Sequence, residues 1–185
     1  PDNAGTVDVT LTVKGEGEAG TKMRDANVSL RTYGPGEVTN LDADQIVRME
    51  PEPDTTAFPP NYFPLVEFDD PRLPWLFSPE KADDAGRTRP WLCLVAVPES
   101  ASTIQPPGAG PLSVLETTGT ELPDAGESWA WAHAQHFGPG DPESAFASRS
   151  RAPQSRLLCP RNPSPNTTYR HCVVPTSAPG PRRRL

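Results

Sequence analysis

Histidine and cysteine are scarce, with three of each in 185 residues, and this narrows the available chemistry. Cys93, Cys159 and Cys172 cannot complete a set of disulfides, and an odd count without a visible leader fits a reducing compartment. Neither a Cys-x2-Cys pair nor a His-Glu-x-x-His motif occurs, so the common zinc spacings are missing and no metal or other cofactor is expected. There is no Gly-x-Ser-x-Gly elbow for a hydrolase. No apolar run reaches about 18 residues, so no membrane-spanning helix is expected. The opening Pro1-Asp-Asn-Ala-Gly lacks the basic start and apolar stretch of a signal peptide. Basic charge is in deficit: 17 Lys and Arg stand against 24 Asp and Glu, for a net charge of −7. That argues against a nucleic-acid partner, which needs a basic stripe. Arg182, Arg183 and Arg184 are the exception, read as a solvated tail. Apolar residues are only 35% of the chain, enough for a modest core under much loop surface.

Proline is abundant, at 25 residues. It fixes φ and removes an amide donor, so it excludes long helices and wide central strands. The expected class is therefore mainly β (α+β): a short-stranded antiparallel sheet or sandwich with long Pro-rich loops and one or two short helices. Three parts are expected. Residues 1–33 form a β-hairpin arm, residues 34–175 a compact β-rich core, and residues 176–185 a loose tail.

Along the chain, Val7, Val9, Leu11 and Val13 alternate with Asp8, Thr10 and Thr12, the period-two pattern of a half-buried strand. Val28 and Leu30 continue it in a second strand after the acidic turn Gly15 to Gly20. Gly15-x-Gly17-x-x-Gly20 fits the letters of a dinucleotide motif but no helix signal follows it. Asp42 is placed to cap a helical turn. Short strands are expected at 46–49, 65–68, 112–115 and 168–174. Leu92 to Val97 is almost wholly apolar, which predicts a strand buried on both faces at the centre of the sheet. Residues 101–111 read as a loop. The best helix is predicted near 124–136, stopping at Gly138, and a second is started by Asp141-Pro142 and runs to about Ser148.

The densest block runs from Phe58 to Pro98, which holds two of the four Trp and four of the six Phe. Pro-Trp-Leu occurs twice there, at 74–76 and 90–92, on either side of a polar loop. Two apolar segments folded back on each other to make the core is the expected arrangement. Tyr62, Phe63, Trp75, Trp91, Trp129 and Trp131 are the candidate platform, as core or as an interaction surface. On the predicted helix His133 and His136 would share a face, where an i, i+3 pair can hold a metal. A packed, hydrogen-bonded imidazole is the plainer reading. Cys159 or Cys172 beside one of the histidines would be needed for a catalytic pair. Asp69-Asp70 and Asp83-Asp84 are read as turn caps.

Several strings in this block resemble one family. They are Asn61-Tyr-Phe-Pro, Val66-Glu-Phe-Asp, Leu73-Pro-Trp-Leu-Phe-Ser-Pro, Arg89-Pro-Trp-Leu-Cys-Leu-Val, Glu127-Ser-Trp-Ala-Trp-Ala-His-Ala-Gln and Ser155-Arg-Leu-Leu-Cys-Pro-Arg. The pattern resembles bacterial proteins encoded with the phage-tail-like contractile injection systems of actinomycetes and their relatives, over roughly Tyr33 to Pro175. The resemblance implies a non-enzymatic structural or assembly subunit of a cytoplasmic particle, at its baseplate or cap. Its partners would be other subunits, and it would be oligomeric within the assembly. Members of the family look longer, and the ending Pro181-Arg-Arg-Arg-Leu departs from their pattern. No catalytic residues come with the resemblance. Two other functions fit the residues themselves. One is a ligand-binding or hydrolytic domain combining the aromatic block with His133, His136 and Asp69 or Asp70. The other is a carbohydrate-binding β-sandwich with Trp75 and Trp91 as an exposed platform.

Overall fold

The computed structural model describes residues 5–17, 20–33, 38–78, 81–108, 112–136, 138–147 and 153–176. The chain is mainly β, with 41% of its residues in strands and 15% helical. It divides into two compact units, Pro1–Val38 and Thr39–Leu185. The expected loose tail from residue 177 onward, with Arg182 to Arg184, lies outside the described residues.

The first unit is a hairpin. β1 (Gly5–Gly17) and β2 (Gly20–Thr32) pair antiparallel over 13 residues each without a bulge. The alternation in the sequence sets the two faces. Register places Val7 against Leu30, Val9 against Val28 and Leu11 against Ala26 on one side. On the other, hydroxyl and carboxylate side chains close on each other. Thr10 Oγ1 donates to Asn27, Thr12 Oγ1 to Asp25, and Ser29 Oγ to Asp8. Long strands form here because the only prolines before residue 38 are Pro1 and Pro35, so nothing interrupts the ladder.

The second unit holds the core. β3 (Ile46–Glu50), β4 (Leu65–Phe68), β8 (Ala132–His136) and β9 (Pro153–Leu158) form an antiparallel sheet in the order β3-β4-β9-β8. β5 (Leu92–Pro98) pairs with β10 (Tyr169–Pro175), and β6 (Ser102–Gln105) with β7 (Val114–Thr117). β5 packs on β9. Phe68, Val95, Val97 and Leu157 are fully buried between these layers.

The two Pro-Trp-Leu segments do fold back on each other. The first is a 3-10 turn, Leu73–Trp75. The Trp91 amide donates to the Pro74 carbonyl at 2.8 Å, and its indole Nε1 to the Leu73 carbonyl at 2.6 Å. The Phe77 ring meets the Trp91 indole edge-on at 5.0 Å. Pro74 and Pro90 are fully buried, so these prolines fill the core as well as stiffening the chain.

Three expectations give way. The helix predicted near 124–136 is a 3-10 segment, Ala125–Ala130, running into β8. Asp124 caps it, accepting from the Gly126 amide at 2.8 Å. Beyond Ala130 the chain is a strand in spite of the helix propensity of alanine. Ala132 is laid against Leu157 of β9 and is buried, which is tertiary packing overriding local preference. Second, β5 is the centre of the core but not of a sheet, since it is laddered only to β10 among the described residues. On its other edge side-chain groups take the place of a strand. Arg161 donates to the Ala96 carbonyl at 3.1 Å, and the Ala96 amide reaches the Cys159 sulfur. Third, β6 occupies part of the loop expected at 101–111, and β7 begins two residues later than the strand expected at 112–115. The predicted short helix at Asp141 is present as α1 (Pro142–Ala147), with Asp141 accepting from the Ser144 amide at 2.8 Å.

Trp91, only 2% exposed, joins these pieces. Trp91→Ala should lower unfolding free energy by about 3–5 kcal/mol. Leu76→Ala, in the first Pro-Trp-Leu copy but 59% exposed, should stay within about 0.5 kcal/mol of wild type. Urea titration of both variants checks this, and equal losses would refute the asymmetry.

Candidate functional site

The candidate aromatic residues do not form one platform. Trp91 is buried, and Trp75 is half-buried with its Nε1 donating to the Thr88 carbonyl at 3.4 Å. A carbohydrate platform of these two rings therefore lacks one of them, which corrects that expectation. Phe63 and Trp131 form an edge-on pair at 5.7 Å, and Phe58 and Tyr62 another at 6.3 Å. Tyr62 and Phe63 are exposed. Trp129 has the Arg87 guanidinium 4.7 Å above its ring. Asp83 holds that arginine, accepting from its amide and its Nε, and these bonds keep the Asp83 carboxyl below its usual range.

His133 and His136 do not share a face. They lie three residues apart on β8, and odd spacing on a strand sends side chains to opposite sides. His133 stands opposite Arg156 on the outer side, while His136 follows the buried parity of Ala132. The convergent histidine pair needed for a metal or a hydrolytic site is thus not assembled, and no cluster of metal-ligating side chains occurs among the described residues. Asp70 is turned onto Arg72, at 2.9 Å from its amide and 3.0 Å from Nε.

Two polar clusters were not visible in the sequence. On the outer face of the four-stranded sheet, register aligns Arg48, Glu67, Arg156 and His133 in one row. Glu67, with 13% of its side chain exposed, lies 3.8 Å from Arg48 and 3.6 Å from Arg156. Arg156 also donates to Gln135. These are cross-strand pairs between segments far apart in sequence, and only the alternation around Ser155 and Leu157 hinted that Arg156 points outward. The second cluster lines a cleft of about 180 Å³ between Ala96, Glu121, Leu122, Pro123, Cys159, Pro160 and Arg161. There Arg161 pairs with Glu121 at 2.7 Å, so the cleft's one cation is neutralised beside an apolar wall. Burial pushes the Cys159 thiol there up, and hydrogen bonds from the Arg161 and Ala96 amides only partly offset this.

The remaining surface feature is the hairpin. Its apolar stripe is solvent-facing, with Val7 49%, Leu11 50%, Val28 37% and Leu30 50% exposed. Both outer edges of the hairpin are unpaired among the described residues. An isolated two-stranded hairpin is marginal in water, so this stripe and these edges have the most to gain from a protein partner. No family model, curated protein or solved structure matches the chain.

The thiols give a pH test. Burial pushes Cys93 up to about 11 from its ordinary 9.0. A thiol that holds its proton more tightly in the folded state contributes stability that is complete below pH 9 and is lost as pH rises through about 11. The urea midpoint should therefore fall across that window, and Cys93→Ala should flatten the fall. An unchanged slope in the variant would show that other groups drive it.

Proposed function

We propose that this chain is a non-enzymatic structural subunit of a phage-tail-like contractile injection particle in the bacterial cytoplasm, where it binds neighbouring particle proteins. The observation that carries the reading is the hairpin: a 13-residue, unbulged pair of strands that leaves an apolar stripe in solvent. Monomeric proteins blunt long flat edges with proline, bulges or cover. Here the longest strands of a proline-rich chain are free of proline and have both outer edges unpaired among the described residues, which suits a segment completed by another subunit. The family resemblance over residues 33–175 supplies the class of assembly. The aromatic pairs at Phe63–Trp131 and Phe58–Tyr62 offer the second unit a surface of its own for contacts, since exposed aromatic rings are enriched where proteins meet.

Native mass spectrometry of the chain co-expressed with its gene neighbours should find it in complexes at one fixed stoichiometry. Leu11→Asp, which puts a charge in the middle of the stripe, should weaken that co-purification by about tenfold or more, with the melting of the core unit unchanged. A chain that stays free of every neighbouring gene product would overturn the reading.

A further inference from the structure

We infer that the outer edge of β1 is self-complementary and pairs with the β1 edge of a second copy of this chain, joining two hairpins into a four-stranded antiparallel sheet β2-β1-β1-β2. The inference rests on the assembly reading in one respect, that the hairpin docks on protein, and it names the partner.

The argument is one of register. β1 runs from Gly5 to Gly17, so antiparallel pairing of two copies over their full length is symmetric about Leu11. A two-fold contact of this kind sets each residue of one edge against its mirror on the other. Leu11 then meets Leu11, Val9 meets Val13, Thr10 meets Thr12 and Asp8 meets Lys14. Over residues 8–14 apolar positions face apolar positions and hydroxyls face hydroxyls, and Asp8 and Lys14 are brought together twice, while Glu16 falls opposite Thr6. Asp8 and Lys14 are both exposed, and they sit on the face opposite the stripe.

Neighbouring registers are worse. Shifting the centre to Thr12 sets Asp8 against Glu16, a like-charge pair that destabilises a ladder. Shifting it to Thr10 leaves Lys14 against Thr6. Parity is preserved in each case, so the difference lies in charge and not in which face is buried. β2 is less suited at full length. Centred on Ala26, it would set Arg24 against Val28 and Lys22 against Leu30, a charge against an apolar residue in each pair. A shortened β2 register centred on Val28 does bring Asp25 to Arg31, and the experiment below separates it from β1.

The pairing also resolves what the hairpin leaves open. It supplies partners for the outward amides and carbonyls of β1, which no proline or bulge protects. It doubles the width of the apolar stripe formed by Val7, Val9, Leu11, Val28 and Leu30, producing a sheet face broad enough to pack on a larger surface. Four strands pass the threshold at which a sheet holds together where two do not.

The test uses the full chain. Sedimentation equilibrium should show a monomer–dimer equilibrium. Asp8→Lys or Lys14→Asp alone should weaken it by about tenfold, because each converts two attractive pairs into repulsive ones. The double variant, which restores opposite charges across the two-fold, should recover most of the loss. That rescue separates pairing from damage to the hairpin, since Asp8 also accepts from Ser29. In a second measurement Leu11→Cys should form an intermolecular disulfide under mild oxidation, while Val7→Cys, whose mirror position is Gly15, should not. A monomer at all concentrations, charge variants without rescue, or cross-linking through Val28→Cys in place of Leu11→Cys would each overturn the proposal. A monomer that still travels with other particle subunits would overturn self-pairing alone and leave the assembly reading standing.

Discussion

The hydrogen bond from the Trp91 indole to the Leu73 carbonyl is the contact on which the second unit depends. A buried indole N–H must find an acceptor, and the one it finds, Leu73, immediately precedes the first of two Pro-Trp-Leu segments. The Trp91 amide takes the next carbonyl, at Pro74, so the two segments are tied at adjacent residues. β5 begins one residue later. Its position fixes β10 through their ladder and orients Arg170, which donates to the Glu99 and Ser102 carbonyls and so closes the corner into β6. A small core is thus held by a few polar contacts that cross between segments distant in sequence.

Proline shapes the rest. Sheets in the second unit stay narrow, and side chains stand in for a further strand on one edge of β5. Ala96 has a guanidinium on its carbonyl and a thiol sulfur on its amide. The hairpin follows the opposite rule. It has no proline within its strands, no bulge, and a polar face already satisfied by its own hydroxyl and carboxylate pairs. What is left open there is an apolar stripe in solvent and two edges unpaired among the described residues.

Much of this was legible in the chain. The alternation at residues 7–13 and at Val28 and Leu30 marked the hairpin, the repeated Pro-Trp-Leu marked the core, and Asp42 and Asp141 each cap the turn that their position indicated. The failures share a cause. Residues 124–136 looked helical because alanine, an aspartate cap and a terminal glycine are local signals, whereas the strand at 132–136 exists because Leu157 offers it a surface. β5 looked like a sheet centre because burial on both faces reads alike whether strands or side chains cover the edge. The row from Arg48 to His133 and the Arg161–Glu121 pair were invisible for the same reason. Each joins residues whose neighbourhood is set by strand order, which composition and spacing do not encode. The histidine pair failed as a site once the helix became a strand, since period two separates what period 3.6 would have joined.

Stability is expected to concentrate around Trp91 and β5, with the hairpin a marginal element that the proposed association would make firm. Hydrogen–deuterium exchange on the full chain at low and high concentration tests this directly, because amide protection reports local opening free energy. Leu92 to Val97 should exchange slowest and at the same rate at both concentrations. Amides of residues 5–17 should exchange quickly in dilute solution and slow markedly as concentration rises. Hairpin amides as protected as those of β5 in the dilute chain, and indifferent to concentration, would contradict the claim.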